Sequence, residues 1–226
     1  MDPACDLVLF AAFHPELAPL QASLGDAMRR RIGNVDVVAR AAGIGLPMAA
    51  AGCAMHLGDL RPRTAIAIGT CGAYVGSGLE IGDIVVARRV RLVDPTALRD
   101  EAQFPDPMST VIEGHAPLVV GIARSTRAAP VDVATTLAIT VDDGVAATIA
   151  RATGASAEHL EAYAIATACA ARGVPFCAVL GVANLVGNSA REQWKVHHHE
   201  ASRAAAGAVL DWLRADGLPR SLSAAP

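Results

Sequence analysis

The stretch VPFCAVLGVANLVG, residues 174–187, decides how the chain is read. Its first seven residues are apolar, as in a strand buried on both faces. GVANLVG follows at 181–187, so Asn184 falls where the apolar run ends. An amide at that point is either a turn residue or a group that reads a ligand. Just upstream, AEHLEAYAIATACAAR (157–172) reads as a helix. Ser156 is its candidate N-cap, Glu158 in the first turn suits the helix dipole, and Gly173 ends it. A helix delivering the chain into a buried strand is the repeating unit of an α/β protein.

The same alternation runs through the rest of the sequence. DLVLFAAF (6–13) is a first strand and VDVVARAAG (35–43) a second. IGLPMAAAGCAMHLGDL (44–60) reads as a helix opening at the glycine pair Gly43 and Gly45. RTAIAIGTCGAY (63–74) is a third strand running into a glycine-rich turn; GDIVVARRVRLVD (82–94) and PVDVATTLAITV (130–141) are further strands. A last helix is expected over 198–213, where the apolar positions fall at helical spacing. The pattern predicts an α/β sandwich, helices packed around one central sheet. Residues 92–116 carry prolines and acids and read as a long loop, a kind that is usually functional or mobile. The last ten residues, 217–226, read as a frayed tail, leaving a single domain over 1–216.

Composition narrows the function. A chain of 226 residues, 53% hydrophobic, suffices for one large core. A net charge of -3, with no basic excess, argues against nucleic acid. Cys5, Cys53, Cys71, Cys169 and Cys177 lack CxxC spacing and lie mostly in apolar segments, the pattern of buried reduced thiols in a cytosolic protein. The start, MDPACDLVLFAAF, has an acidic leader where a secretory signal wants a basic one. No uninterrupted apolar run has the roughly 18 residues of a membrane span. A cytoplasmic protein that does not bind nucleic acid is the expectation.

Three glycine-bearing segments follow strands, at 43–45, 69–74 and 181–187. Ligands in open α/β sheets bind beyond the carboxyl ends of strands, where turn N–H groups hold anions or oxygen-rich sugars. Glycines also simply make tight turns. None of the three has GxGxxG or P-loop spacing, so a dinucleotide or kinase-like site is rejected. Glu16 in AAFHPEL is either a general base or a solvated acid at a helix start. Glu161, between Leu160 and Ala162 in the apolar helix, is either a surface residue or a buried carboxylate needing partners, for which a sugar diol is well suited. The run His197, His198, His199 lacks companion ligands and reads as a solvated helix start rather than a metal site. No metal and no cofactor is expected.

Five pieces in this order, AAFHPELAPL, AAGIGLPMAAA, AIAIGTCGAY with LEIGDIVVA, EHLEAYAIATACAARGVPF and GVANLVG, resemble the purine nucleoside phosphorylase and nucleosidase superfamily along nearly the whole chain. Within it, ANLVGNSAREQW and ELAPLQASLG are most similar to futalosine hydrolase, an enzyme of menaquinone biosynthesis. The resemblance implies a three-layer sandwich with a central mixed sheet. It implies that Glu16 positions and deprotonates an attacking water, and that Thr70, with Gly72 in the same glycine segment, lies near that water and the ribose. It also implies that Glu161 holds ribose hydroxyls, with Leu160 where relatives have methionine, and that Asn184 faces purine N7. An aspartate at 184 would suit adenine; an asparagine amide donates to N7 or O6 of a 6-oxopurine.

The phosphorylases of the superfamily carry an arginine three residues before the Ser/Thr of the glycine segment; here that residue is Ala67. Water is therefore the expected nucleophile. The sequence departs from its relatives at Ala183, where a serine is usual, and in TLAITVDDGVAATIA, which lacks their base-stacking aromatic. Phe13, Phe104, Tyr163 and Trp194 are the candidates to replace it. The resemblance implies a homodimer or larger assembly in which the 92–116 loop reaches a neighbour's site. A methylthioadenosine or S-adenosylhomocysteine nucleosidase, a phosphorylase and a non-catalytic nucleoside-binding protein are the alternatives.

Overall fold

A computed structural model of the chain describes residues 5–219 and 222. In chain order the elements are β1 (Cys5–Ala11), α1 (His14–Leu17), α2 (Gln21–Leu24), β2 (Arg29–Ile32), β3 (Val35–Ala41), α3 (Gly45–Leu60), β4 (Pro62–Ala73) and β5 (Ile84–Leu92). Then come β6 (Val111–Glu113), α4 (Ala116–Thr126), β7 (Ala129–Thr135), α5 (Asp143–Thr153), β8 (Ala157–Glu158), α6 (Ala162–Ala171), β9 (Phe176–Leu185) and α7 (Ala190–Ala215). The strands form one mixed sheet in the order β2-β3-β1-β4-β8-β7-β5-β6, with β9 pairing both β4 and β5. Because β9 joins β4 to β5 while β8 joins β4 to β7, half of the sheet closes on itself.

Two apolar layers cover the sheet. On one face Leu17, Leu20, Leu118, Ile122, Val209 and Trp212 pack against Leu9, Ile66 and Val179. On the other, Ala49, Cys53, Leu57, Ile165 and Cys169 pack against Val8, Ala65 and Leu180. The expected α/β three-layer arrangement is present. All five cysteines are free and buried.

Several local expectations are corrected. β4 does not stop at a turn; it runs through Gly69 and Gly72 to Ala73. β9 likewise continues to Leu185, so Asn184 lies inside a strand and not at its end. Ser156 caps no helix: its backbone joins Asp132 and Tyr74 in strand-like bonds. Residues 157–158 are β8, and α6 begins five residues later, at Ala162. Glu158 is thus a strand residue and Glu161 is the N-cap residue of α6, one turn earlier than read. α7 starts at Ala190, which puts His197–His199 in mid-helix. α4 and α5 are helices where the sequence pattern predicts none. Residues 92–116 are mainly loop as expected, broken by a short turn of 3-10 helix at Ala97–Arg99 and by β6. Within the supposed frayed tail, Leu218 and Leu222 are buried in the core; residues 220, 221 and 223–226 lie outside the described residues.

Candidate active site

The carboxyl ends of β1, β4 and β9 open into a cavity of about 390 Å³. Glu16, Thr70, Gly72, Leu160, Glu161 and Asn184 all line it. Phe104 does not; it lines a separate cleft of about 250 Å³ with Leu92, Leu98 and Val111. Of the four aromatic candidates, Phe13 and Trp194 reach the main cavity. Tyr163 instead donates its hydroxyl to the Ser109 carbonyl, tying the 92–116 loop to α6.

Glu16 sits on α1, whose first turn is set by Pro15 directly after β1. The carboxylate is buried and turned back into the sheet. One oxygen accepts the Ala12 N–H at 3.2 Å; the other accepts the Thr70 N–H at 3.0 Å and the Thr70 hydroxyl at 3.1 Å. Gly69 makes this approach possible, since a Cβ there would stand 2.8 Å from Glu16 Oε1. The indole N–H of Trp194 donates to Thr70 Oγ1 at 3.0 Å. Indole is a donor only, so the Thr70 hydroxyl proton must point to Glu16. Burial pushes the Glu16 carboxyl up to about 7, against the pull of the Thr70 backbone bond and with a smaller push from Glu161. That places a proton acceptor near neutrality.

Glu161 is fixed from two sides. Its Oε1 accepts the Gly45 N–H at 2.7 Å, at the positive end of α3. Its own N–H and that of Ala162 donate to His159 Nδ1 at 3.1 and 3.0 Å. The buried His159 ring therefore caps α6 through a lone pair. Burial holds its pKa down, opposed by Glu161, so the ring is neutral. The 3.5 Å approach of Nδ1 to Glu161 Oε2 is then a contact and not an ion pair. Glu161 Oε2 is the oxygen left for a ligand.

Asn184 reaches the cavity because β9 bulges. Cys71 pairs with Val182, but Gly72 pairs with Asn184, leaving Ala183 as the extra residue. The Asn184 Nδ2 group donates to the Leu185 carbonyl at 2.9 Å, which spends one of its two hydrogens. A Cβ at Gly72 would stand 2.7 Å from that nitrogen. The segment after β9 is pinned by Gln193 on the Leu185 N–H and by Asp143 on the backbone and side chain of Asn188.

Sequence reasoning passed over several other lining residues, among them Ile139, Thr140, Glu158, His159 and Arg191. Arg191 carries the only arginine or lysine charge among the described lining residues. His159 was in view within EHLEAYAI, but nothing local marked it as a cap. Residue 67, where a phosphorylase-type arginine would stand, is a fully buried alanine. Among the described residues no cluster of His, Cys, Asp and Glu is arranged to hold a metal, and no helix is long and apolar enough to cross a membrane.

Comparison with known proteins places these features in context. The model of the phosphorylase superfamily matches residues 10–214. The chain is 33% identical to futalosine hydrolase of Streptomyces coelicolor over 69% of its own length and 70% of the relative's. It is 32% identical to a 5'-methylthioadenosine/S-adenosylhomocysteine nucleosidase of an Exiguobacterium species, over 64% of this chain and 66% of that one. Among solved structures, S-adenosylhomocysteine nucleosidase of Streptococcus pyogenes in complex with 5-methylthiotubericidin superposes with a TM-score of 0.82. It is 24% identical, with 93% of this chain and 97% of that chain covered. At that identity the likeness speaks for the fold alone.

Proposed function

Because this chain belongs to the phosphorylase superfamily, we propose that it is an N-ribosyl hydrolase, cleaving the glycosidic bond of a 5'-modified purine nucleoside, with futalosine as substrate and hypoxanthine as leaving base. The observation that carries the reading is the hydrogen-bond chain from the buried Glu16 through Thr70 to Trp194, in the same cavity as Glu161. Glu16 orients a water and takes its proton as the oxygen bonds to the anomeric carbon and the bond to the base nitrogen breaks. Positive charge develops on the ribose, and the Glu161 carboxylate, holding the sugar hydroxyls, offsets it. Asn184 donates its remaining N–H to N7 or O6 of the departing base, where negative charge collects. Buried carboxylates and the alanine at 67 offer phosphate little, which favours water.

A second reading, 5'-methylthioadenosine as substrate, draws on the similarity to the Exiguobacterium enzyme and on apolar walls at Phe13, Ile44 and Trp194 suited to a thioether. Purified protein in phosphate-free buffer separates the two. Hypoxanthine released from futalosine supports the first; adenine released from methylthioadenosine, with futalosine inert, moves the assignment to the second. Release that requires phosphate makes the protein a phosphorylase. A nucleoside that raises the melting temperature but is never cleaved makes it a binding protein. We further propose a homodimer. Ile44 and Ile139 at the cavity mouth are more than half exposed, as are Met48, Met55, Leu137 and Val141, an apolar set that a neighbouring subunit would cover. A monomer mass by light scattering would refute it.

A further inference from the structure

The run His197, His198, His199 has no part in the mechanism above, yet its middle ring touches a residue that does. α7 starts at Ala190, so Trp194 and His198 stand four residues apart on one face of the same helix. Helical side chains lean toward the N-terminus, which carries the His198 ring back over Trp194. The two rings are stacked, with centroids 4.2 Å apart and planes 13° from parallel. His199 meets His198 in turn, at 3.9 Å between centroids and a tilt of 37°. Burial lowers the His198 pKa and His199 adds to the effect, so at neutral pH the ring meets the indole as an uncharged plane.

What this stack holds in place is a donor. Trp194 Nε1–H donates to Thr70 Oγ1 at 3.0 Å, and the Thr70 hydroxyl donates to Glu16 Oε1 at 3.1 Å. Trp194 is only half-buried, and a turn about either of its side-chain torsions takes Nε1 off Thr70. A second ring packed flat against the indole opposes that turn. Once the indole leaves, it no longer occupies a lone pair of the Thr70 oxygen, and the hydroxyl is free to swing away from Glu16. His198 itself does not line the cavity, so its effect on Glu16 must pass through Trp194.

We propose that His198 is a positioning residue for the reaction: its ring holds the Trp194 indole so that Nε1–H meets Thr70, and Thr70 in turn stays aimed at Glu16. The inference rests on the reading of the cavity as a hydrolase site with Glu16 as the base. In phosphate-free buffer with futalosine, His198→Ala is expected to lower kcat about threefold and leave KM within about twofold, since the loss lies at the water and not in substrate binding. His198→Phe keeps a flat ring over the indole and is expected to retain at least about half of kcat. In the Trp194→Phe background the donor on Thr70 is already gone, so adding His198→Ala should cost no more than about 1.3-fold there, whereas independent effects would multiply.

Hydrogen exchange of the indole N–H, followed by NMR, tests the same contact without turnover. The chain has two tryptophans, Trp194 and Trp212, and the Trp194 signal is the one that Trp194→Phe removes. Its exchange with solvent is expected to quicken at least about fivefold in His198→Ala and to stay within about twofold of wild type in His198→Phe. Unchanged exchange or unchanged kcat in His198→Ala would overturn the proposal. So would a loss of kcat that persists in full in the Trp194→Phe background, or a His198→Phe protein as impaired as His198→Ala. Failure of the wild type to cleave futalosine, with the exchange rates as expected, would count against the hydrolase reading and leave the positioning of Trp194 standing.

Discussion

Replacing Glu16 with glutamine should change how stability depends on pH, and the structure gives the size. Burial raises the Glu16 carboxyl from 4.5 to about 7. Between those values the folded protein keeps a proton that the unfolded chain has released, so stability falls as pH rises. The contribution is fully present below 4.5 and lost above about 7, where ionised Glu16 costs about 3 kcal/mol. For a domain of this size 1 kcal/mol moves Tm by roughly 2–4 °C. Glu16→Gln carries a pH-independent penalty, because its amide must face either Ala12 N–H or the Thr70 N–H. It lacks the titration, so the difference in Tm, variant minus wild type, should climb by roughly 6–12 °C from pH 4.5 to pH 8. Differential scanning calorimetry of the ligand-free proteins across that range reads it directly. In the wild type kcat/KM should rise with pH and level off above about 7, as the free carboxylate becomes available. Parallel Tm curves for the two proteins would refute the claim that Glu16 is destabilised as an anion.

Three further outcomes follow from the geometry. Trp194→Phe keeps an aromatic wall but deletes the indole donor on Thr70, a loss of about 0.5–1.5 kcal/mol; kcat should fall several-fold with little change in KM. Gly72→Ala forces a methyl against Asn184 Nδ2 and Val186 Cγ2, at 2.7 and 2.8 Å, so kcat/KM should drop at least about tenfold while folding costs about 1–3 kcal/mol in a denaturant melt. Asn184→Asp should move the ratio of kcat/KM toward 6-aminopurine nucleosides, since a protonated carboxyl can serve N7; an unchanged ratio would contradict the role given to Asn184.

The alternation of apolar runs and alanine-rich helices made the architecture legible, and the motif order brought Glu16, Thr70, Glu161 and Asn184 into one cavity before any geometry was known. The glycines misled. Gly69, Gly72 and Gly181 have the sequence signature of turn formers, but they are strand residues whose missing side chains admit Glu16, Asn184 and the Ala201 carbonyl of α7, contacts made across long sequence separations. Such close approaches leave no local trace. The start of α6 failed for a related reason. Ser156 and Glu158 looked like a cap and a first-turn acid, but β8 needs those residues for the sheet, and the cap comes from the His159 ring. Phe104 is an aromatic in a long loop, yet within one chain it lines a different cleft. α5 does carry a local signal, since Asp142 caps it by accepting the Val145 N–H.

The proposed function stands on Glu16, held by a Thr70 that in turn accepts from Trp194, activating water against a purine nucleoside whose sugar Glu161 holds. The most direct measurement is hypoxanthine release from futalosine in phosphate-free buffer by wild type and Glu16→Gln side by side, with nucleoside binding followed in both. Release by the wild type is expected, with a collapse of release in the variant and binding retained. Release that survives Glu16→Gln, or that appears only when phosphate is added, would contradict it.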